Sequence, residues 1–506
     1  MNLDTPSTPE APGLPSPSQI VASFSKVSLG SAVTLLMLAV LNKILSVVGG
    51  PPVVGLFSLL RQTENTGIAM ASSDGDRALV QGISSRAGHE QAASFTWSIG
   101  LIMAAVTMAE IAVFWIAAAP IAGWMFGQSM PAGADRVAAV RWIGAPILLA
   151  VGSTWLVAIL KGRLAVGKAV LVRTLGAVAG VAGALGAAHS GTAVSVLVLL
   201  IIMEAVTLLS GLGLVVSEHA LPAGPAPAWP QHRSNVSSYL SVAGYLVAGG
   251  ILRNLVVLPI RVLFAREGGL TFAGYFDTAW TLTAKYLFFL LDAISTYYLP
   301  LLSAARAADY RGKLLKRLVR LAWAVSMPAV IGLIVLKPLV IQILYAADFL
   351  PSLDLLRWML IGNYFQASAW LFSTAMLAFG DVRSAFRVDV AWFALFLAGS
   401  AVSLEVYHQV QGVGVTFLVG YVGAFLVTGW YAVRRYGMAV GPRMTIAWGL
   451  GLLIVLAASA ATWNDAGVAW MQVLLWVGLS GLVVLISFEP GELRSFLKDV
   501  GLRRRG

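Results

Sequence analysis

The chain contains no cysteine, which excludes a disulfide framework, a thiolate metal site and a cysteine nucleophile. Histidine is nearly as scarce: five in 506 residues (His89, His189, His219, His232 and His408), none at a metal-ligand spacing. No resident metal and no cofactor are expected. Charge is the third shortage, with 11% of residues charged against 58% apolar. Soluble globular chains carry roughly 25% charged residues, so this one has too little polar surface to coat a water-soluble body. Its mean hydropathy of +0.83 makes lipid the solvent for most of it.

What the chain does have is a succession of apolar runs. Crossing hydrocarbon takes about 20 residues of helix. Runs of that length fall near 27–48, 53–73, 93–119, 137–160, 168–188, 192–216, 237–262, 271–300, 318–344, 355–379, 386–404, 412–433, 444–463 and 468–488. The expected fold class is all-α: a polytopic membrane protein of about fourteen transmembrane helices. Residues 1–25, rich in Pro and Ser and without a cationic start, read as a flexible cytoplasmic tail. The Pro-rich stretch within 217–236 reads as a cytoplasmic linker between an N-terminal lobe (26–216) and a C-terminal lobe (237–436). Two further helices (444–488) and a basic cytoplasmic tail (489–506) follow.

The net charge of +11 is mostly a topology signal. An even number of spans puts both termini on one side. If that side is cytoplasmic, its segments hold about 24 of the 34 Lys and Arg, the positive-inside pattern. Arg306–Arg320, Lys161–Arg173, Arg434–Arg443 and Arg503, Arg504 and Arg505 are the richest. Arg136, Arg141, Arg261, Arg266 and Arg357 remain outside. Such a chain is a multi-pass protein of a bacterial inner membrane, and nucleic acid is not a partner.

The two lobes repeat at an offset of 218 to 219 residues. Gly49-Gly50 through Gly55 and Phe57 match Gly268-Gly269 through Gly274 and Phe276. Trp124-Met-Phe126 matches Ile343-Leu-Tyr345, and Ile143 through Gly162 aligns without a gap on Ile361 through Gly380. Six helices per repeat give parallel halves, one of the architectures of alternating-access transport, with the substrate between lobes.

Ionisable groups inside spans are costly and usually face a cavity or a partner. Arg61, Gln62, Glu64 and Asn65 fall near the centre of the second span, with Glu64 and Asn65 on the face of Arg61. This is either a cavity wall presenting Arg61 to an anion or a buried ion pair pinning two helices. In the eighth span Asp277, Lys285 and Asp292 form one stripe. Arg253-Asn254 and Asn42-Lys43 lie in the seventh and first spans. Lys43 and Lys337 also sit where they could snorkel to the interface. Arg141 and Arg357 begin equivalent helices as interface anchors. Glu64, Glu110 and Glu204 are candidates for ion coupling. Cations and anions inside the spans balance, so the sequence alone does not make the cavity cationic.

Lys43-Ile-Leu-Ser-Val-Val-Gly-Gly-Pro-Pro-Val-Val-Gly-Leu-Phe57, then Arg61-Gln62 and Ala78-Leu-Val-Gln-Gly-Ile-Ser-Ser-Arg86, resembles the start of Wzx-type polysaccharide flippases. Ile343-Leu-Tyr-Ala-Ala-Asp-Phe349 resembles the end of the ninth helix in the wider multidrug/oligosaccharidyl-lipid/polysaccharide exporter superfamily. The resemblance implies two rocking six-helix lobes that pass an undecaprenyl-pyrophosphate-linked oligosaccharide to the periplasmic leaflet, its lipid tail kept in the bilayer. It also implies that helices one, two, seven and eight line the cavity. That nominates Lys43, Arg61, Arg253 and Lys285 as substrate-binding cations, supported by Asn42, Gln62, Glu64, Asn65, Asn254 and Asp277. H+ or Na+ would be the coupling ion and polysaccharide assembly proteins the partners.

Many Wzx proteins are read with twelve helices. The extra pair also fits lipid II flippases, and the carboxylates Glu64, Glu110 and Glu204 fit a multidrug antiporter. An enzyme of lipid-linked sugars would need a large outer loop, and the outer loops here are about 20 residues at most, so no enzyme is expected. A structural scaffold would leave the repeat and the polar second span unexplained.

Overall fold

The computed structural model describes residues 17–72, 76–86, 89–127, 129–130, 134–222, 227–287, 291, 302, 308–438, 441–464 and 470–487. Among them every regular element is helical. The α-helices are α1 (Pro17–Ser72), α2 (Asp76–Ser84), α3 (His89–Ile116), α4 (Ala118–Phe126), α5 (Ala134–Trp142), α6 (Gly144–Gly162), α7 (Val166–Ser190) and α8 (Ala193–Ser217). They continue with α9 (Trp229–Trp280), α10 (Ala308–Leu344), α11 (Leu353–Ala378), α12 (Val382–Ala401), α13 (Val410–Arg434), α14 (Pro442–Ala461) and α15 (Trp470–Ser487). A π-helical turn, Thr281–Tyr286, extends α9, and another, Val402–Val406, extends α12.

Among the described residues ten helices are long and apolar enough to cross a membrane. Two of them, Ala32–Ser72 and Ala248–Tyr286, run to 41 and 39 residues, about twice what one crossing needs. Each is bent by a glycine. Gly50 adopts φ 68°, ψ −171°, a conformation side chains resist and glycine accepts. Pro51 and Pro52 then start the second arm where no N–H donor is required. Gly269 adopts φ 74°, ψ −172° in α9. The repeat therefore exists in backbone as well as sequence. The second arms meet at equivalent glycines. A Cβ on Gly55 would lie 1.9 Å from the Leu270 carbonyl oxygen, and one on Gly274 would lie 2.3 Å from that of Pro51. Only hydrogen at both positions permits this approach.

α11, which covers the expected run 355–379 but for its last residue, is less apolar than the ten because it carries Asn363 and Gln366. Both are fully buried in protein, so their cost is met by hydrogen bonds and not by lipid exposure. Asn363 Nδ2 donates to the Thr283 carbonyl inside the first π turn (2.9 Å) and to Gln366 Oε1 (2.8 Å), and Gln366 Nε2 donates to the Tyr421 hydroxyl (2.9 Å).

Three expectations change. α1 already begins at Pro17, inside the segment read as a tail, and α9 begins at Trp229, inside the linker. Lys337 does not snorkel: it is 2% exposed. The missing N–H of Pro338 frees the Ile334 carbonyl, and Lys337 Nζ donates to that oxygen (3.1 Å), to Thr462 Oγ1 (2.8 Å) and to the Thr462 carbonyl. These bonds fasten the end of α14 to α10. Trp476 of α15 docks on α10 as well, donating to the Pro328 carbonyl (2.9 Å). Asp292, Arg306 and residues 489–506 lie outside the described residues.

Candidate functional site: a polar cavity beside the crossing of α1 and α9

A cavity of about 480 Å3 is lined by Thr34 and Leu38 on the first arm of α1, and by Arg61, Asn65 and Ile68 on the second. Ser153 and Thr154 of α6, Arg173 and Gly176 of α7, Met203, Glu204 and Thr207 of α8, and Arg253 and Asn254 of α9 complete its wall. Its ionisable lining is Arg61, Arg173 and Arg253 against Glu204, a formal excess of positive charge that the sequence alone did not show.

Both readings of Arg61 are present in the geometry. Its guanidinium is 28% exposed toward the cavity, and Nη1 donates to Glu64 Oε2 (2.9 Å) and Glu204 Oε1 (2.8 Å). It therefore ties α1 to α8 while presenting its edge to the opening. Gln62 and Thr66 lie one helix face around. Gln62 Nε2 donates to Asn254 Oδ1 (3.0 Å) and Thr66 Oγ1 to the Asn254 carbonyl (3.4 Å). Farther along the same seam the Tyr239 hydroxyl donates to the Ser72 carbonyl (3.1 Å).

Lys285, in the π turn, is exposed and makes no hydrogen bond or ion pair among the described residues. It lies within electrostatic reach of Arg61, Arg261 and Asp277. Arg253 is exposed at the cavity and within reach of Asp389 on α12 and of Tyr421. Asp277 is buried, not exposed at a helix end. It accepts from Arg261 Nη1 at 2.6 Å, and Arg261, expected among the outer charges, is 2% exposed. A buried guanidinium requires such a partner, and the Phe276 ring, 5.7 Å away, completes its surroundings.

The structure does not bring Lys43 to this cavity. Its Nζ donates to the Gln342 (2.6 Å) and Tyr345 (2.5 Å) carbonyls, where α10 ends, and Asn42 beside it is half-buried. Glu110 is 8% exposed, with neither carboxyl oxygen hydrogen-bonded among the described residues. It packs near Gly67 and Ile147. Arg141 lies over Trp115 and Arg357 over Trp463, each at 5.5 Å, a pairing suited to interface anchoring. Among the described residues no three His, Asp or Glu cluster as a metal site.

Sequence reasoning missed two charges near the cavity. Arg173 was counted with the cytoplasmic cations, although it sits two turns inside α7. Asp389 was passed over, although it is a lone carboxylate in the apolar run 386–404.

This fold, in which two glycine-bent rods cross beside a polar cavity, is shared with solved transporters of the multidrug/oligosaccharidyl-lipid/polysaccharide exporter superfamily. An inward-facing multidrug resistance transporter of the MATE family superimposes with a TM-score of 0.65 at 14% identity, over 80% of this chain and 94% of that one. The lipid II flippase MurJ, in an inward closed conformation, gives 0.65 at 13% identity, over 95% and 99%. An outward-facing MATE transporter gives 0.51 at 14% identity, over 82% and 95%. The profile of the polysaccharide biosynthesis protein family matches residues 76–354, and the chain belongs to that family. The lipid III flippase of Escherichia coli (strain K12) is 24% identical over 291 residues, covering 56% of this chain and 67% of that protein. The resemblance to polysaccharide flippases read from the sequence thus holds.

Proposed function

We propose that the protein flips an undecaprenyl-pyrophosphate-linked oligosaccharide from the cytoplasmic to the periplasmic leaflet by alternating access between its two lobes. The observation that carries this reading is the cationic excess of the cavity at Arg61, Arg173 and Arg253. A diphosphate cannot cross hydrocarbon unaided, and guanidinium groups replace its water with charge-assisted hydrogen bonds. Lys285, without a bonded partner among the described residues, adds a point charge within reach of Arg61. The lipid II and lipid III flippases among the similar proteins support the same class of substrate. Lys43 contributes by holding α1 to α10 and not by touching substrate.

On the positive-inside orientation, the Gly55–Gly274 crossing lies at the periplasmic end. That closed end, and the higher TM-score to the inward-facing transporter, support a state that loads from the cytoplasm. The cavity end marked by Ser72 and Arg173 is then the entrance. Glu110, a carboxyl with no hydrogen-bond partner among the described residues, is the best-placed group to carry a coupling proton. A cationic drug is a poor fit, because Arg61 already occupies both Glu64 and Glu204.

The test is translocation of a short fluorescent undecaprenyl-pyrophosphate oligosaccharide in proteoliposomes. The expected result is movement by the wild type and a loss of at least ~10-fold in Arg61→Ala and in Lys285→Ala, both correctly folded. Normal transport by both variants would make these charges structural. No movement by the wild type under H+ or Na+ gradients would overturn the proposed substrate.

A further inference from the structure

A second concavity, of about 460 Å3, lies away from the Arg61 cavity. It is at the end of the molecule where α1 and α9 turn. Four segments converge on it: the second arm of α9 (Phe272, Tyr275), the Ala347–Ser352 turn, the start of α11 (Asp354), and the loop into α13 (His408, Gln409, Gln411). Its size falls in the roughly 300–1,000 Å3 range of small-ligand sites.

Each wall is held in place. Tyr275 stands edge-on to Phe349 (6.2 Å between centroids, 81°) and tilted against Phe272 (6.0 Å, 35°). Phe272 in turn closes over the hinge, since a Cβ on Gly268 would meet its ring at 2.2 Å. Arg357 Nη1 donates to Asp354 Oδ1 (2.9 Å) and orients that carboxylate, which stays half exposed. His408 takes φ 53°, unusual for a side-chain-bearing residue, and its Nδ1 lies 3.1 Å from both Glu267 oxygens. The first turn of α13 has no side-chain cap, so its leading amides keep donors to spare beside Val410 and Gln411.

This combination selects a ligand class. Two aromatic rings offer faces to C–H groups, while a carboxylate, an imidazole and two carboxamides offer donors and acceptors for vicinal hydroxyls. Among the described residues no Lys or Arg lines the concavity, so they offer a diphosphate no counter-charge there. We infer that this pocket binds a pyranose of the glycan headgroup, as a second sugar subsite on the side to which the substrate is delivered. The inference rests on the proposed flippase function. In that scheme the subsite catches the glycan as the Gly55–Gly274 crossing opens, next to the hinge that must move.

The test needs no lipid and no transport. Purified protein in lipid nanodiscs is mixed with the methyl glycosides of glucose, galactose, mannose, rhamnose and N-acetylglucosamine at about 20 mM each, enough to populate a site with Kd near ~1 mM. Saturation-transfer NMR reads binding. At least one glycoside should receive saturation, and the signal should fall at least ~5-fold in Tyr275→Ala and in Gln411→Ala. Tyr275→Phe, which keeps the ring, should bind as wild type does, and in Arg61→Ala, which removes a cation of the other cavity, the glycoside signal should persist. The inference is overturned if no glycoside responds, if the signal survives both alanine variants, or if Arg61→Ala removes it. Because Tyr275 and Gln411 sit on different helices, a folding defect in one leaves the other as the test. Failure of Arg61-dependent flipping with Tyr275-dependent binding intact would strike the proposed function and not the pocket.

Discussion

Gly50 and Gly269 hold nearly the same dihedrals, φ 68° against 74° and ψ −171° against −172°, yet the arms that follow them carry different chemistry. After Gly50, Arg61 is shared between Glu64 and Glu204 at the wall of an open cavity, partly exposed. After Gly269, Asp277 is sealed against Arg261, while Lys285 one stretch farther on stays exposed, with no bonded partner among the described residues. The backbone repeat supplies two equivalent bends. The side chains differ: one guanidinium is held by two carboxylates, one ion pair is purely internal, and one ammonium stays exposed.

The largest expected effect comes from breaking the shared pivot. Gly274→Val places a branched side chain against the Pro51 carbonyl, where even a Cβ would sit at 2.3 Å. Flipping should fall to background. Spin labels on Val48→Cys and Arg266→Cys, introduced into a chain with no native cysteine, should report a longer separation of the two turns. Unchanged flipping and distance would mean that the crossing is not a pivot.

Next in size, Arg261→Ala leaves Asp277 buried without its partner and should cost about 3 kcal/mol in thermal or denaturant unfolding. Arg261→Leu with Asp277→Leu should recover most of that. If Arg261→Ala unfolds like wild type, the sealed pair is not what separates the two arms.

Smaller again is the stability contrast between the two proposed substrate cations. Arg61→Ala should destabilise by about 1–2 kcal/mol, less than a sealed pair because Arg61 is 28% exposed. Adding Glu64→Gln and Glu204→Gln should restore stability but not flipping. Lys285→Ala should change stability by less than about 0.5 kcal/mol. An equal loss in both would show that Lys285 has a structural partner too.

The smallest effect tests the linker-side face of the C-terminal half. Burial works against ionisation of Asp381, but hydrogen bonds from Ser384 and Tyr436 and the Arg435 charge outweigh it and hold the carboxyl below its usual range. The Tyr436 hydroxyl donates at 3.0 Å and Arg435 Nε lies at 3.2 Å. A depressed folded value contributes stability that is present above the unfolded value, about 3.9, and lost as pH falls through the folded one. Asp381→Asn should therefore cost less than about 1 kcal/mol at neutral pH, and the difference should vanish in acid. A gap that persists below pH ~3 would assign the effect to packing.

Much of the fold was legible in the sequence. The apolar runs near 168–188, 192–216 and 412–433 correspond to α7, α8 and α13 within a few residues. The Gly-rich turns marked both bends. The position of Arg61 in mid-span was legible, as was Glu64 on its face, since i+3 neighbours share a helix face. Its second partner was not: Glu204 is 143 residues away, and the Gln62–Asn254 bond joins residues 192 apart. Lys43 and Lys337 were read as cavity or interface groups, because the partners that hold them, the Gln342 and Tyr345 carbonyls for Lys43 and Thr462 for Lys337, lie far away in the chain. Arg173 was absorbed into a topology count for the same reason.

What the sequence by itself determined is local in origin. Hydropathy over about 20 residues sets a membrane helix, and the freedom of glycine at positive φ sets a bend. An offset of 218 to 219 residues says that both happen twice. The tertiary structure alone decided which charges are neutralised by a partner and which stay exposed. An ion pair in a low-dielectric interior depends on distances of a few ångströms between helices remote in the chain, and no periodicity along one helix encodes them.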